Sequence, residues 1–214
     1  MKLLFLNPNS TEAMTAAMVE VARATDPAAR VTGWTNSDGP PAIQGPEDGA
    51  AAVAGLLGLL PAARQGGFDA IVIGCFDDTG LAELRQKAHC PVLGIGQAAF
   101  HMAALLGRRV SVVTTLEVSV PVIAANIAGY GFSDQVARVR ASGLGVLEVD
   151  EASPATMERL RQEIRQAGVE DGISGVVLGC SGMAPLAAEL ARDTDLAVID
   201  GVAAATRLAR ALVD

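Results

Sequence analysis

The chain carries 24 acidic and 16 basic residues among 214, a formal charge of −8, with 50% hydrophobic and only 3% aromatic residues. Nucleic-acid binding needs cations against phosphate and rings against bases, so that class is set aside, and a mean hydropathy of +0.36 excludes intrinsic disorder. Surface scaling buries about 70% of the unfolded chain's surface, enough for one large core or two smaller ones sharing a cleft.

Residues 2–6 read as a strand whose apolar part is too short for a signal-peptide core, and Asn7-Pro8-Asn9 follow at once. With three cysteines in no disulfide spacing, a cytoplasmic, reduced protein is expected. The loop Asn7-Pro8-Asn9-Ser10-Thr11 offers amides and hydroxyls to a ligand, or simply a helix cap, with Ser10 or Thr11 opening a helix over 11–25. A strand over 30–35 leads into the turn-rich segment 40–45, a candidate rim of a cleft. Residues 49–63 are uncharged but too few to cross a bilayer, so a buried helix is expected there and no membrane partner. Further strands are expected over 70–74, 91–94, 109–114, 175–179 and 196–199, and a helix over 153–167 headed by Ser153-Pro154. Runs that are apolar on both faces suit parallel strands covered by helices on either side, which makes the fold class α/β. His89 and His101 fall in helix-like stretches without ligand spacing, so no metal centre is expected.

The chain echoes itself. Ile71-Val72-Ile73-Gly74-Cys75 and Val176-Val177-Leu178-Gly179-Cys180 share an aliphatic strand, a glycine and a cysteine, almost half the chain apart. More loosely, the strand before Asn7 matches the strand before Thr114-Thr115. Two related halves would then face each other, each with a cysteine at the carboxyl end of a central strand, where open parallel sheets bind ligands. Unpaired backbone N–H groups and a helix N-terminus favour thiolate there. A thiol of pKa about 8.5 is only about 3% ionised at pH 7, and lowering it to about 7 makes that roughly half.

A single cysteine after an apolar strand is more often packing than chemistry. Two in equivalent positions suit a base on one side of a substrate and an acid on the other. Racemisation or epimerisation at an acidic C–H is that reaction, and it needs no metal or organic cofactor. Cys90 has no counterpart and reads as filler. The Cys75-Phe76-Asp77-Asp78-Thr79-Gly80 loop could close over a substrate, or merely cap a helix. Thr114-Thr115 with Glu117 fits substrate binding or a capping box equally well. Lys and Arg are scarce near these loops, which favours a neutral cyclic amide over a free carboxylate.

The chain resembles the aspartate/glutamate/hydantoin racemase superfamily over essentially its whole length, most closely its hydantoin racemase branch. Four segments carry the likeness: Leu4-Phe5-Leu6-Asn7-Pro8-Asn9-Ser10-Thr11; Gly74-Cys75-Phe76-Asp77-Asp78-Thr79-Gly80-Leu81; Pro91-Val92-Leu93-Gly94-Ile95-Gly96-Gln97-Ala98-Ala99; and Leu178-Gly179-Cys180-Ser181-Gly182-Met183 with Val198-Ile199-Asp200-Gly201-Val202. The resemblance implies two similar α/β domains with parallel-type sheets, drawn here as 1–97 plus about 203–214 and as 98–202, with the active site between them. It implies cofactor-independent racemisation of 5-monosubstituted hydantoins, Cys75 and Cys180 being the acid–base pair. Backbone N–H groups around Phe76, Asp77, Ser181 and Gly182 would bind ring carbonyls, and Asn9 and Thr115 would fix the ring edge. A hydantoin-type cyclic ureide is then the small-molecule partner, and a homo-oligomer is the expected assembly. Gln97 stands where this family is expected to carry Glu, and Ser181 where Ala is frequent. Allantoin, itself a ureido-substituted hydantoin, is the nearest rival substrate; Asp77 leans toward the hydantoin branch, where allantoin-type sequences tend to show Gly. An amino-acid racemase of the Asp/Glu type, a decarboxylase using one thiol, or a non-catalytic binding module on the same scaffold are the other readings.

Overall fold

Eight strands alternate with helices along the chain in the computed structural model, which describes residues 1–213. The first half contains β1 (Lys2–Asn7), α1 (Glu12–Thr25), β2 (Arg30–Thr35), α2 (Pro46–Gly66), β3 (Ala70–Ile73), α3 (Leu81–Lys87), β4 (Val92–Gly94) and α4 (Ile95–Leu105). The second contains β5 (Val110–Thr114), α5 (Val120–Gly129), β6 (Val136–Ala141), α6 (Val146–Glu151), α7 (Pro154–Glu170), β7 (Gly175–Leu178), α8 (Ala187–Leu190), β8 (Ala197–Asp200) and α9 (Gly201–Val213). The strands form two four-stranded sheets, ordered β2-β1-β3-β4 and β6-β5-β7-β8, with every pair parallel. The second sheet therefore repeats the topology of the first, and the fold is α/β as the strand–helix alternation requires.

The period-2 alternation of each strand sorts its side chains between two cores. In the first sheet Leu4, Leu6, Ile71 and Ile73 pack outward on Leu56 and Leu60 of α2 and Leu84 of α3. Leu3, Phe5 and Val72 face inward to a central core that also takes Val110, Val112 and Val177 from the second sheet. Val113, Val176 and Leu178 pack outward on Leu160 and Ile164 of α7. Between the sheets lie α4 and α9, packed on each other; α4 touches β4, β7 and β8, and α9 touches β3, β4 and β8.

Several local readings are corrected. β6 is a further strand that its Arg138 and Arg140 disguise; it is an edge strand, and Arg140 is buried against Glu163 and Asp171. The cap of α1 is not a Ser10 or Thr11 side chain: Asn9 Oδ1 accepts the Thr11 N–H, and Thr11 donates its hydroxyl to Pro41. α2 fully buries one stripe, Gly49, Ala52, Leu56, Leu60 and Ala63, with Leu57 and Leu59 packed beside it partly buried, and is not buried on all sides. His89 lies beyond the end of α3, not in a helix. No capping box forms at Thr114–Glu117, where a single 3-10 turn begins instead.

Candidate active site

The carboxyl ends of β1, β3, β5 and β7, the four central strands, open onto one cavity holding about 390 Å³ of empty space, its mouth included. In each sheet the strand order reverses between the first and third strands, and the crevice outside that point is where open α/β sheets bind ligands. Asn9, Cys75, Phe76 and Asp77 line the cavity from the first half, and Thr115, Cys180 and Ser181 from the second. Gly74 and Gly179 set the two cysteines at the strand ends. A Cβ at Gly74 would stand 2.5 Å from the Met18 sulfur, and one at Gly179 would stand 2.8 Å from Val112.

The two thiols have matching surroundings. Cys75 receives a backbone N–H from Asp77 and Cys180 one from Gly182, in each case two residues further on. Gly182 does not line the cavity; its contribution is this N–H. The donors expected from sequence are thus present, yet neither thiol is driven toward thiolate. Burial pushes Cys75 well above the ordinary thiol range, and the Asp77 carboxylate, which accepts a hydrogen bond from the thiol, pushes it further. Burial pushes Cys180 up to about 11 against the pull of the Gly182 and Met183 N–H groups. Desolvation outweighs the dipoles because both sulfurs face an apolar wall of Met14, Ile43, Ile123 and Val146.

The loop after Cys75 is locked from two sides. Asp78, at φ 55°, accepts Gly96 N–H at 2.9 Å and Gln97 N–H at 2.8 Å, and so caps α4 from outside its own segment. Gly94 follows from this contact, since its Cβ would stand 2.1 Å from Asp78 Oδ1. From α5, Tyr130 donates its hydroxyl to Asp78 Oδ2 at 3.0 Å and Asn126 donates to the Asp77 carbonyl at 2.6 Å. Burial pushes Asp78 up to about 7 in spite of its three donors. Asp77 is fixed in turn by Thr79, whose N–H and hydroxyl both reach Oδ1.

Asn9 has its oxygen occupied by Thr11 N–H and Asn7 Nδ2, so it presents an amide N–H, with only the Met14 sulfur near it at 3.4 Å. Thr114 spends its hydroxyl on the Gly179 carbonyl, tying β5 to the Cys180 turn. Thr115, Ser119 and Ser181 line the same cavity and carry hydroxyls. Ser119, Met14, Ile123 and Val146 were not foreseen; the 3-10 turn and the short α6 that deliver Ser119 and Val146 have no signature of their own. Ile43 realises the rim expected of residues 40–45, and Gln44 Oε1 accepts the Val146 N–H across the cleft at 3.1 Å. Gln97 lies away from the cavity and accepts from Arg85 at 2.6 Å. No Lys or Arg is among the lining residues. Among the described residues, no group of three His, Cys, Asp or Glu could hold a metal ion, and no helix is long and apolar enough to cross a membrane.

A sequence model of the Asp/Glu/Hydantoin racemase family matches residues 3–209. A hydantoin racemase of Rhizobium meliloti is 42% identical over 214 residues, covering 100% of this chain and 89% of its own length. Among solved structures, an allantoin racemase from Klebsiella pneumoniae superposes with a TM-score of 0.95 at 37% identity, over 100% of this chain and 87% of that one. An allantoin racemase from Pseudomonas fluorescens gives a TM-score of 0.94 at 34% identity, over 100% and 91%.

Proposed function

Because the chain belongs to the Asp/Glu/hydantoin racemase family and is a racemase, we propose that it interconverts the enantiomers of 5-monosubstituted hydantoins with Cys75 and Cys180 as its acid–base pair. The carrying observation is that two cysteines at equivalent strand ends line one cavity from opposite halves of the fold. One thiolate removes the C5 proton, charge delocalises onto the ring carbonyls as an enolate, and the opposite thiol returns a proton to the other face. The N–H of Asn9 and the hydroxyls of Thr115, Ser119 and Ser181 are the groups at hand to hold the ring and its developing charge. A neutral ring suits a lining without cations, and an apolar C5 substituent suits Ile43, Phe76, Ile123 and Val146.

Allantoin is the second reading, supported by the likeness to the two allantoin racemases. Its polar ureido group would have to sit against that apolar wall, which places it second. The deciding experiment follows optical activity of enantiopure 5-benzylhydantoin and of allantoin in D₂O, with the C5 proton read by NMR. Loss of rotation with deuterium uptake, faster for benzylhydantoin, is the expected result. Faster turnover of allantoin would reverse the substrate order, and inertness toward both would overturn the reading. A homo-oligomer is part of the proposal: Leu105 and Leu106 at the end of α4 and Leu212 in the last turn of α9 are exposed, and light scattering would show its mass.

A further inference from the structure

A two-thiol racemase ends each turnover in the wrong protonation state for a second molecule of the same enantiomer. If Cys180 begins as thiolate and Cys75 as thiol, chemistry leaves Cys180 as thiol and Cys75 as thiolate. Reset requires a proton to reach Cys75 and another to leave Cys180, and both cysteines line the same cavity. The two sides are not equivalent here. Cys180 packs in an apolar cluster with Met183, Val149 and Leu178, all buried. Beside Cys75 stands Asp77, which lines both the cavity and a second, open groove between α2 and α5.

The position of Asp77 is built rather than incidental. Thr79 holds Oδ1 with two donors, leaving Oδ2 toward α2, 3.7 Å from where a Cβ on Gly49 would stand. Gly49 and Ala50 keep that side of the groove open. The Asp77 carbonyl is tied to Asn126 and its neighbour Asp78 to α4 and Tyr130, so the loop cannot swing its carboxylate away. The corresponding turn in the second half, Cys180-Ser181-Gly182-Met183, has no carboxylate at the matching position, where Gly182 stands.

We propose that Asp77 is the proton conduit that resets the thiol pair, carrying protons between Cys75 and water in the α2–α5 groove. The inference rests on the two-thiol racemase reading. In the resetting direction the carboxylate takes a proton from groove water and passes it to the Cys75 thiolate, returning to carboxylate; Cys180 gives its proton to water entering through the cavity mouth once product has left. In the other direction the Cys75 thiol gives its proton to the carboxylate, which releases it to the groove. The charged and titratable groups facing this path are Asp78 and Tyr130 behind the loop, Glu83 and Arg85 along the groove, and Cys180 with Asp150 beyond it across the cavity.

The test is steady-state racemisation by Asp77→Asn, with and without a small proton carrier such as imidazole at fixed pH and ionic strength. At low substrate the free forms of the enzyme equilibrate, so slow reset lowers kcat while leaving kcat/KM nearly intact. The expected result is a kcat at least tenfold lower, KM lowered with it, and kcat rising with imidazole concentration. Thr79→Val, which keeps the carboxylate but unfastens it, should show a smaller loss with the same response to imidazole, and serves if Asp77→Asn does not fold. An unchanged kcat, or kcat and kcat/KM falling together without response to imidazole, would overturn the proposal. A wild-type enzyme inert toward every hydantoin and toward allantoin would instead sink the racemase reading beneath it.

Discussion

The Tyr130 hydroxyl donates to Asp78 Oδ2 at 3.0 Å, joining the second half of the fold to the loop that carries Cys75. The carboxyl of Asp78 sits at about 7 in the folded protein against 3.8 as the ordinary value, with burial as the main cause. A folded pKa above the unfolded one means the native state holds the proton longer, so this group's contribution to stability declines as pH rises from about 4 to about 7 and is level beyond. Tyr130→Phe removes a donor that favours the ionised form. The variant should lose about 1 kcal/mol at pH 5, where the carboxyl is neutral, and about 2 kcal/mol at pH 8, where it is charged. Urea unfolding at both pH values measures this, and an equal loss at the two would refute it.

The three cysteines should separate cleanly. Cys75→Ala and Cys180→Ala should each abolish turnover of both enantiomers. Cys90→Ala should leave kcat within about twofold, because Cys90 lies outside the cavity at the opposite end of β4 from Gly94. Keq for racemisation is unity, so kcat/KM must be equal for the two enantiomers in every active variant. Any asymmetry between the thiols has to be sought in kcat and KM separately.

Activity should climb with pH. Both thiols lie above their ordinary range, Cys180 at about 11, so near neutrality the reactive form with one thiolate is a small fraction. Log kcat/KM should therefore rise from pH 7 to 9 with a slope near one, about tenfold per unit. A plateau already reached at pH 7.5 would mean that a thiolate is stabilised in a way the buried pair does not provide.

Arg140 should be the costliest surface-strand residue to remove. Its guanidinium meets Glu163 at 3.3 Å, and Glu170 and Asp171 at 2.6 Å, with Arg140, Glu163 and Asp171 all buried. Arg140→Ala leaves Glu163 its pair with Arg159 but strips the buried Asp171 carboxylate of its 2.6 Å partner, a loss of about 3 kcal/mol. The hydrogen bonds from Arg140 hold Asp171 and Glu170 below the usual carboxylate range, so their share of stability is present above about pH 4 and lost as pH falls below it. The variant's acid unfolding should thus lie closer to that of a protein without the network, as a circular-dichroism pH titration would show.

What sequence could see was whatever is written locally. The Gly-Cys pair after each central strand marks two equivalent turns because packing against Met18 and Val112 forbids a side chain before the cysteine. Asn9, Phe76, Asp77, Thr115 and Ser181 follow as neighbours of strand ends, and all line the cavity. β6 was hidden because its arginines read as solvent-facing, while the acids that neutralise Arg140 lie some thirty residues later in α7 and just beyond it. Which helix the Cys75 loop caps was hidden for the same reason: Asp78 caps α4, whose Gly96 lies eighteen residues away, and not the α3 that follows the loop. The direction of the thiol shifts was also out of reach, since desolvation depends on Met14, Ile43, Ile123 and Val146 converging from four separate segments.

The pair α4 and α9, lodged between the sheets and touching strands of both, bears on how such a chain could have come about. A half-length fragment ending after its fourth strand and following helix would be an unfinished body, with one face of its sheet bare. Two copies of that fragment, each laying its last helix beside the other's, would finish one another as a symmetric dimer, with a thiol from each meeting across the join. Fusing two such genes would keep both thiols and free each to diverge, one beside a carboxylate and the other without.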